Sequence, residues 1–289
     1  MHKTRFKGHE TFYFREGWIS KALFELNNNH DSTILSDVKS GIAKLGVGAN
    51  MVKSIKYWLT TANLVKYNKA TRKFELTALG RLIANYDVYL EDELSLWLIH
   101  YSISSNYQSA TTWYIFWNYF KGETFDIKDV ENYLKYYLDS EEISYNENSL
   151  ENDIAVLLQM YSKNLSDDPE ENTVCPLSRL HLITQSMNEY EKEYTILQEG
   201  HELIVLYILC NSKDEDGIFY YKKGYIKLSE AEELLEHYLN LTRIMANEYI
   251  DVLKSRYINI INTAGLDMIY FNSDINIIDE IRIYYEGRI

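Results

Sequence analysis

A histidine and a glutamate lie next to each other in an aromatic and basic segment near the N-terminus. His9 and Glu10 are flanked by Arg5, Lys7 and Arg15. A His and Glu pair can transfer protons or help to bind a metal ion, and the neighbouring cations can contact phosphate groups. If this segment carries chemistry, His9 and Glu10 are therefore the predicted catalytic residues.

The same pair also has a structural interpretation. In an ordered arm, His9 and Glu10 would satisfy buried hydrogen bonds and take no part in chemistry. This second interpretation is favoured for both residues. The flanking Arg5, Lys7 and Arg15 are predicted phosphate contacts under either interpretation.

Four carboxylates fall within seven residues between Asp87 and Glu93. Mg²⁺ and Mn²⁺ prefer oxygen ligands, and a DNA-cutting site would need such a cation, so Asp87, Glu91 and Asp92 are the candidate metal ligands. Acidic residues at the start of a helix also cap it and interact favourably with its dipole. The capping interpretation is favoured because no second carboxylate group stands in an evident relation to this one. No cofactor is expected if the protein is not a nickase.

Three other residues of reactive type are predicted to lie in the core. Cys175 and Cys210 have neither metal-site spacing nor the pattern of a disulfide framework, which indicates buried and inert thiols. His100 lies within an apolar helical pattern and is interpreted as a core residue with its hydrogen bonds satisfied.

A helix-turn-helix pattern follows the N-terminal segment. Residues 37–45 predict a short helix, residues 46–48 a glycine-containing turn, and residues 49–62 a second helix. At 100° per residue, the second helix has an apolar face that includes Trp58. Its predicted opposite, polar face consists of Asn50, Lys53, Lys56, Tyr57 and Thr60.

Two short β-prone runs, residues 64–67 and 73–76, flank a turn-like segment after that helix. Together these elements predict a winged helix, followed by a helix with Thr77 as its N-cap. Units of this kind place the second helix in the DNA major groove, although winged helices also serve as protein-docking modules. The predicted DNA contacts are Arg5, Lys7, Arg15, Lys44, Asn50, Lys53, Lys56, Tyr57, Lys69, Arg72 and Lys73.

Charge is distributed unevenly along the chain. Residues 1–83 contain 14 Lys and Arg against 6 Asp and Glu, a net charge of +8. The rest of the chain contains 15 against 37, a net charge of −22. A basic head on an acidic body is the asymmetry of a protein that contacts nucleic acid at one end, because the body repels phosphate.

The predicted fold is mainly α-helical with short β-hairpins. It comprises an N-terminal winged helix-turn-helix domain over residues 1–84, a helical middle domain over 85–166 and a mainly helical C-terminal domain over 167–289. An acidic loop over 166–172 suggests the second boundary. Residues 268–271 and 281–285 are β-prone and, with a break at Gly265 and the preceding helices, suggest a second winged-helix-like unit.

No membrane segment is predicted. The longest apolar run, residues 203–210, is too short to cross a bilayer, and the N-terminus lacks the apolar segment of a signal peptide. The protein is therefore expected to be cytoplasmic. Its 26 tyrosines occur mostly at helical spacing and are interpreted as packing at the edge of the core rather than as a platform for stacking bases.

A set of sequence blocks lies within residues 8–18, 45–58, 76–80, 89–101, 111–114, 176–177 and 263–266. Together these blocks resemble a bacterial family long described as being of unknown function. The Gly-Val-Gly-Ala-Asn-Met-Val block is fairly specific, and the resemblance covers nearly the whole chain. The family is encoded beside cysteine desulfurase and phosphoadenylyl-sulfate-reductase-like genes, and it is similar to the family of SspB, the DNA-nicking subunit of a single-strand DNA phosphorothioation system.

This resemblance implies a DNA-binding and nicking component of a phage-defence system that modifies DNA with sulfur. The expected partners are double-stranded DNA and sulfur-transfer or other defence proteins, with a homo-oligomer left open. Two alternatives remain: a non-catalytic winged-helix regulator, and an adaptor whose acidic body binds a basic enzyme. The sequence departs from the family at Ala49, Val88 and His181, where Lys, Pro and Gly respectively are common.

Overall fold

Helices form most of the described chain, and three small antiparallel sheets lie among them. The chain divides into two compact units, residues 1–193 and 194–289. The predicted division into 1–84, 85–166 and 167–289 stays a prediction, and its second boundary and Gly265 lie outside the described residues. The computed structural model describes residues 4–29, 32–162, 174–263 and 266–288.

The first unit is built from helices α1 to α8, a short 3-10 helix at Pro176–Leu180 and two small sheets. Strands β1 and β2 form a hairpin, and the second sheet has the order β3, β5, β4. The helices are α1 Glu16–Asn28, α2 Val38–Leu45, α3 Ala49–Thr61, α4 Ala78–Tyr86, α5 Glu93–Ser104, α6 Thr111–Tyr119, α7 Ile127–Ser140 and α8 Glu147–Tyr161. The strands are β1 Val65–Asn68, β2 Lys73–Leu76, β3 Thr124–Phe125, β4 Ile183–Ser186 and β5 Glu189–Lys192.

Local signals set the ends of the elements around α2, α3 and the hairpin. The side chain of Asp37 accepts hydrogen bonds from the first turn of α2, and Gly46 ends that helix in a left-handed conformation with φ of 69°. Val65 pairs with Leu76 in the antiparallel hairpin. The Thr77 hydroxyl accepts the Gly80 amide at 2.9 Å, which confirms Thr77 as the N-cap of α4.

The apolar face of α3 is buried, as predicted. Trp58 has no exposed surface, and its indole N–H donates to the Phe12 carbonyl oxygen at 2.9 Å. Tyr57, predicted on the polar face, is instead only 3% exposed. The physical reason is the N-terminal segment, which lies over it: a methyl group at Gly8 would be 2.4 Å from the Tyr57 ring.

Helices α5 and α6 are buried on almost every side, which explains their lack of a polar face. His100 in α5 is completely buried, and its Nδ1 lies 2.8 Å from the Tyr161 hydroxyl. This contact confirms the prediction of a core histidine with a hydrogen-bond partner. Helix α8 is capped by Asn146, whose side chain accepts the Ser149 amide.

The second unit combines helices with one three-stranded antiparallel sheet of order β6, β8, β7. A second winged-helix-like unit in this region stays a prediction. Its helices are α9 Leu203–Asn211, α10 Tyr220–Lys223, α11 Leu228–Leu239, α12 Arg243–Val252 and α13 Ile277–Glu286. Its strands are β6 Tyr225–Lys227, β7 Ile258–Thr263 and β8 Leu266–Phe271.

The strand predicted at residues 281–285 is wrong, because these residues belong to α13. The Asn276 side chain accepts the Ile278 amide at 3.2 Å and starts the helix. Ile281 and Tyr285 lie one helical turn apart and are both buried. These β-prone residues therefore form the apolar face of a helix. Tertiary burial here outweighs local β propensity.

Both cysteines are free and buried, as predicted. Burial raises the pKa of the Cys175 thiol well above its usual range and that of Cys210 to about 12. Both sulfurs are therefore protonated and unreactive near neutral pH. Within the described ranges, no helix combines the length and apolar character that a membrane crossing requires.

Candidate nucleic-acid interface

The segment from Arg5 to Thr11, here called the arm, is held by one buried carboxylate. Asp153 in α8 is 1% exposed. Its Oδ1 lies 2.8 Å from both the Lys7 amide nitrogen and the His9 Nε2, and its Oδ2 accepts the Thr112 hydroxyl at 2.8 Å. Two donors of the arm and one of α6, all distant from Asp153 in sequence, therefore converge on its side chain.

Both ring nitrogens of His9 are occupied. The Thr11 amide donates to Nδ1 at 3.1 Å, so Nδ1 carries no proton and Nε2 is the nitrogen that donates to Asp153. The ring is fully buried and stacks on Trp58 with centroids 5.8 Å apart. This geometry is that of the structural interpretation of His9, in which no lone pair is left for a substrate proton. Its catalytic role stays a prediction.

The arm backbone is strained where it turns. Lys7, Glu10 and Thr11 have φ values of 55°, 53° and 70°, in a region that residues other than glycine seldom adopt. Such conformations persist only when surrounding contacts impose them. The Asp153 network and the hydrogen bond from the Arg5 amide to the Thr111 hydroxyl, at 3.1 Å, supply those contacts.

The arm brings cations beside α3. Arg5 and Lys7 are exposed, and the Arg5 guanidinium lies over the Tyr57 ring at 5.0 Å from its centroid. Glu10, partly exposed, lies 3.7 Å from the Lys53 ammonium group of α3. These two contacts place the arm directly against α3.

On its exposed side, α3 contacts the hairpin as well as the arm. Lys53 is exposed and donates to the Asn50 side-chain oxygen at 3.2 Å. Lys56 is half-buried, with its ammonium group 4.7 Å from the centroid of the Phe74 ring in β2. The arm, α3 and the hairpin are therefore connected by direct contacts, and Tyr57 lies beneath that surface.

The hairpin tip is ordered by its own side chains. Asn68 accepts the Ala70 amide at 2.9 Å and donates to Glu75 at 2.7 Å, and Thr71 donates to the same carboxylate oxygen at 2.8 Å. These hydrogen bonds lower the pKa of Glu75, so its carboxylate stays charged. The ordered tip leaves Lys69 and Arg72 exposed, with Lys73 half-buried beside them.

The two remaining predicted contacts lie elsewhere in the first unit. The Arg15 guanidinium lies 4.7 Å from the centroid of the Tyr13 ring and 4.6 Å from that of Trp18. This stacking fixes its position and leaves less freedom for a phosphate contact. Lys44 at the end of α2 is exposed, with its ammonium group 3.7 Å from Glu25 of α1.

The predicted metal ligands occupy a capped turn. Asp87 is 8% exposed and accepts the Glu91 amide at 2.7 Å and the Asp92 amide at 3.1 Å. Burial is the main cause that raises the pKa of Asp87, although its hydrogen bonds oppose the shift. Asp92 accepts the Leu94 amide and caps α5. As placed, these side chains do not fit a Mg²⁺ site, and their assignment as metal ligands stays a prediction.

No metal-binding group is evident in the part of the chain that the structure describes, where no three His, Cys, Asp or Glu side chains converge suitably. Sequence reasoning missed Asp153 and its partner Thr112. A signal for Asp153 existed: it lies on the face of α8 that also contains Leu150, Ile154 and Leu157. A carboxylate on an apolar helix face needs buried partners.

These features define a mainly helical protein with small antiparallel sheets and a basic N-terminal surface. The chain belongs to the family described as protein of unknown function (DUF4007), whose model matches residues 6–285. No curated protein matches it in sequence.

Two solved structures have a similar fold. A crystal structure of SspB gives a TM-score of 0.79 at 21% sequence identity and covers 99% of this chain and 89% of that chain. A magnesium-ion-bound crystal structure of SspB gives a TM-score of 0.77, with the same identity and coverage. At this identity the similarity is one of fold.

Proposed function

We propose that the chain binds double-stranded DNA and serves a bacterial phosphorothioation system, a form of phage defence, as its DNA-engaging component. The DNA surface consists of the arm, the exposed side of α3 and the hairpin. In this proposal α2, α3 and the hairpin form a winged helix, with α3 as the recognition helix. The fold similarity to SspB supports the assignment to that system.

The observation that carries the proposal is the connection of three basic segments by direct contacts. Lys53 lies 3.7 Å from Glu10 of the arm, and Lys56 lies over Phe74 of the hairpin. Cations from separate parts of the chain, including Arg5, Lys69 and Arg72, therefore border one surface. Phosphates along a duplex attract such a surface, and each neutralised phosphate releases counterions.

The test is the salt dependence of binding to a labelled duplex. We expect log Kd to rise with log salt concentration at close to one unit of slope per phosphate contacted. Replacing Lys53 by Ala should reduce that slope by about one unit and weaken binding to every sequence alike. The matched control is Lys128→Ala, which removes an exposed lysine from α7, outside the proposed surface.

Equal slopes in the wild type and Lys53→Ala proteins would remove α3 from the proposed interface. Absence of salt-dependent binding by the wild type would favour the adaptor alternative, in which the acidic body binds a basic enzyme. Melting temperatures of both variants establish that the fold is retained.

We propose nicking as a second function, which the fold similarity to magnesium-bound SspB favours. The residues assigned to it are His9 and Glu10, of which Glu10 is the one with exposed surface. The test is conversion of supercoiled plasmid to the open circle with Mg²⁺ or Mn²⁺, using His9→Ala, Glu10→Gln and Asp92→Asn proteins matched for DNA affinity. Nicking by all three would exclude this assignment, and no nicking by the wild type would favour the non-catalytic regulator.

A further inference from the structure

Four tyrosines form a chain of ring contacts where α6 packs against α7, and a fifth is hydrogen-bonded to it. Ring centroids are 5.2 Å apart for Tyr107 and Tyr114, 5.8 Å for Tyr114 and Tyr119, and 4.9 Å for Tyr119 and Tyr137. The Tyr133 hydroxyl joins the group by donating to the Tyr119 carbonyl oxygen at 2.8 Å. We call Tyr107, Tyr114, Tyr119, Tyr133 and Tyr137 the tyrosine cluster.

The tyrosine cluster is on the surface. Tyr119 is 38% exposed, and the other four are half-buried. One exposed aromatic ring is ordinary in any protein, whereas one exposed and four partly exposed tyrosines side by side make a patch. Tyrosine is enriched at protein interfaces because its rigid ring supplies contact area and its hydroxyl supplies a hydrogen bond. Packing at the edge of the core therefore explains only part of this arrangement.

A carboxylate lies beside the cluster, in a part of the chain that is acidic in composition. Glu141 is exposed and follows Tyr137 by four residues on the same side of the helical path. Burial is the main cause that raises the pKa of Tyr107 and Tyr137, and the carboxylate of Glu141 raises both further. Residues 84–193 as a whole contain 6 Lys and Arg against 21 Asp and Glu.

Aromatic rings of this kind can stack either on nucleobases or on cations. A nucleic acid would bring phosphates beside Glu141 and into an acidic part of the chain, where they are repelled. A guanidinium group is attracted by both features, since it stacks on the ring face and pairs with the carboxylate. The negative charge of Glu141 therefore favours a guanidinium group over a nucleic acid.

We propose that the tyrosine cluster, with Glu141, is a docking surface for an arginine-bearing segment of a partner protein. Arginine suits it better than lysine, because its planar and weakly hydrated guanidinium stacks on aromatic rings. The tyrosine cluster shares no residue with the arm, α3 and the hairpin, and the proposal does not rest on DNA binding.

The test uses fluorescein-labelled hexa-arginine and hexa-lysine peptides with the full chain, followed by fluorescence anisotropy. We expect hexa-arginine to bind more tightly. Tyr119→Ala and Glu141→Gln should each weaken its binding by about two- to five-fold. The first matched control is Tyr136→Ala, which truncates a 72% exposed tyrosine of α7 outside the ring contacts of the cluster. The second is Glu151→Gln, which neutralises an exposed carboxylate on α8.

Support requires two results: loss of binding confined to the cluster variants, and a preference for arginine over lysine that disappears in Tyr119→Ala. Equal losses in the control variants would show general attraction to an acidic surface and overturn the proposal. Failure of the wild type to bind hexa-arginine would also overturn it. An oligo-dT probe provides the last arm, because binding that depends on Tyr119 would identify a surface for bases instead.

Discussion

At the scale of single residues, the buried carboxylate of Asp153 holds the arm in its conformation. Its carboxylate accepts hydrogen bonds from Lys7, His9 and Thr112, which lie as much as 146 positions away in the chain. A buried carboxylate is costly to desolvate, and the three hydrogen bonds, each 2.8 Å long, offset that cost. The conformation of the arm thus depends on a side chain that no local pattern connects to it.

Asp153→Ala is expected to destabilise the fold by about 1 to 3 kcal/mol, because the donors of Lys7, His9 and Thr112 all lose their acceptor. The released arm should also lose its place beside α3, so the salt slope of DNA binding falls. Urea unfolding and duplex titration measure the two effects. Thr112→Val is the matched control, since it removes one bond and leaves the arm contacts. An unchanged slope in folded Asp153→Ala would separate the arm from the DNA surface.

Two departures from the family pattern also have residue-scale explanations. His181 has φ of 51°, a left-handed conformation at the end of the 3-10 helix that glycine adopts without strain. Val88 follows Asp87 in a turn closed by a hydrogen bond from the Leu90 amide to the Asp87 carbonyl oxygen at 3.0 Å, a position that favours proline. Both common family residues thus suit the backbone found here.

Lys192 gives the fold a predicted pH dependence. Burial, and secondarily the charge of Lys121, lowers the pKa of Lys192 to about 7, and its ammonium group donates to the Phe120 carbonyl oxygen at 2.5 Å. Between that value and the ordinary lysine pKa, the unfolded chain binds more protons than the folded one, so stability rises with pH through this window. Lys192→Met should flatten the rise, measured by urea unfolding from pH 7 to 10. The same slope in both proteins would exclude Lys192 as its source.

At the scale of elements, the sequence predicts α2, α3 and the hairpin because each carries its own local signals. Asp37, Gly46 and Thr77 act at the helix ends regardless of the rest of the fold. The strand predicted for α13 failed because burial of Ile281 and Tyr285 decides that helix. Sheet pairing between β3 and β5, which lie about 65 residues apart, leaves no periodic trace at all.

The candidate site divides in the same way. The cations of α3 could be predicted, because a helical period separates them from the apolar face. The burial of Tyr57 could not be predicted, since it depends on the arm crossing that helix. Asp153 lay on a recognisable apolar face, but its partners follow only from the tertiary structure.

Truncation of Trp58 tests the orientation of α3. The ring is fully buried, stacks on His9 and donates to the Phe12 carbonyl oxygen. Trp58→Ala should therefore cost about 3 to 5 kcal/mol in the free energy of unfolding. Tyr67→Ala, which truncates a 50% exposed aromatic residue of the hairpin, should cost less than half as much. Equal losses in urea unfolding would contradict the buried position of Trp58.

At the scale of the whole molecule, the separation of charge gives each part a different kind of partner. The net charge of +8 over residues 1–83 attracts phosphate, while −22 over the remainder repels it. Binding of a duplex is therefore expected to be confined to the head. The same asymmetry leaves the acidic part of the first unit available to cations, as the tyrosine cluster requires.

The placement of one added charge distinguishes local contact from this long-range field. Ala49 is exposed at the first residue of α3, four positions before Lys53, so Ala49→Lys adds a cation to the proposed DNA surface. We expect tighter duplex binding and a salt slope larger by about one unit. Ala155→Lys is the matched control: it adds the same charge at an exposed alanine of α8, outside that surface.

If α3 contacts the duplex, the slope changes in the Ala49 variant alone, because only phosphates in direct contact release counterions. If net charge controls binding, both variants gain affinity equally, and the recognition role of α3 is excluded. Titration of both proteins across a range of salt concentrations therefore distinguishes direct contact between α3 and phosphates from long-range attraction by the positive charge of the head.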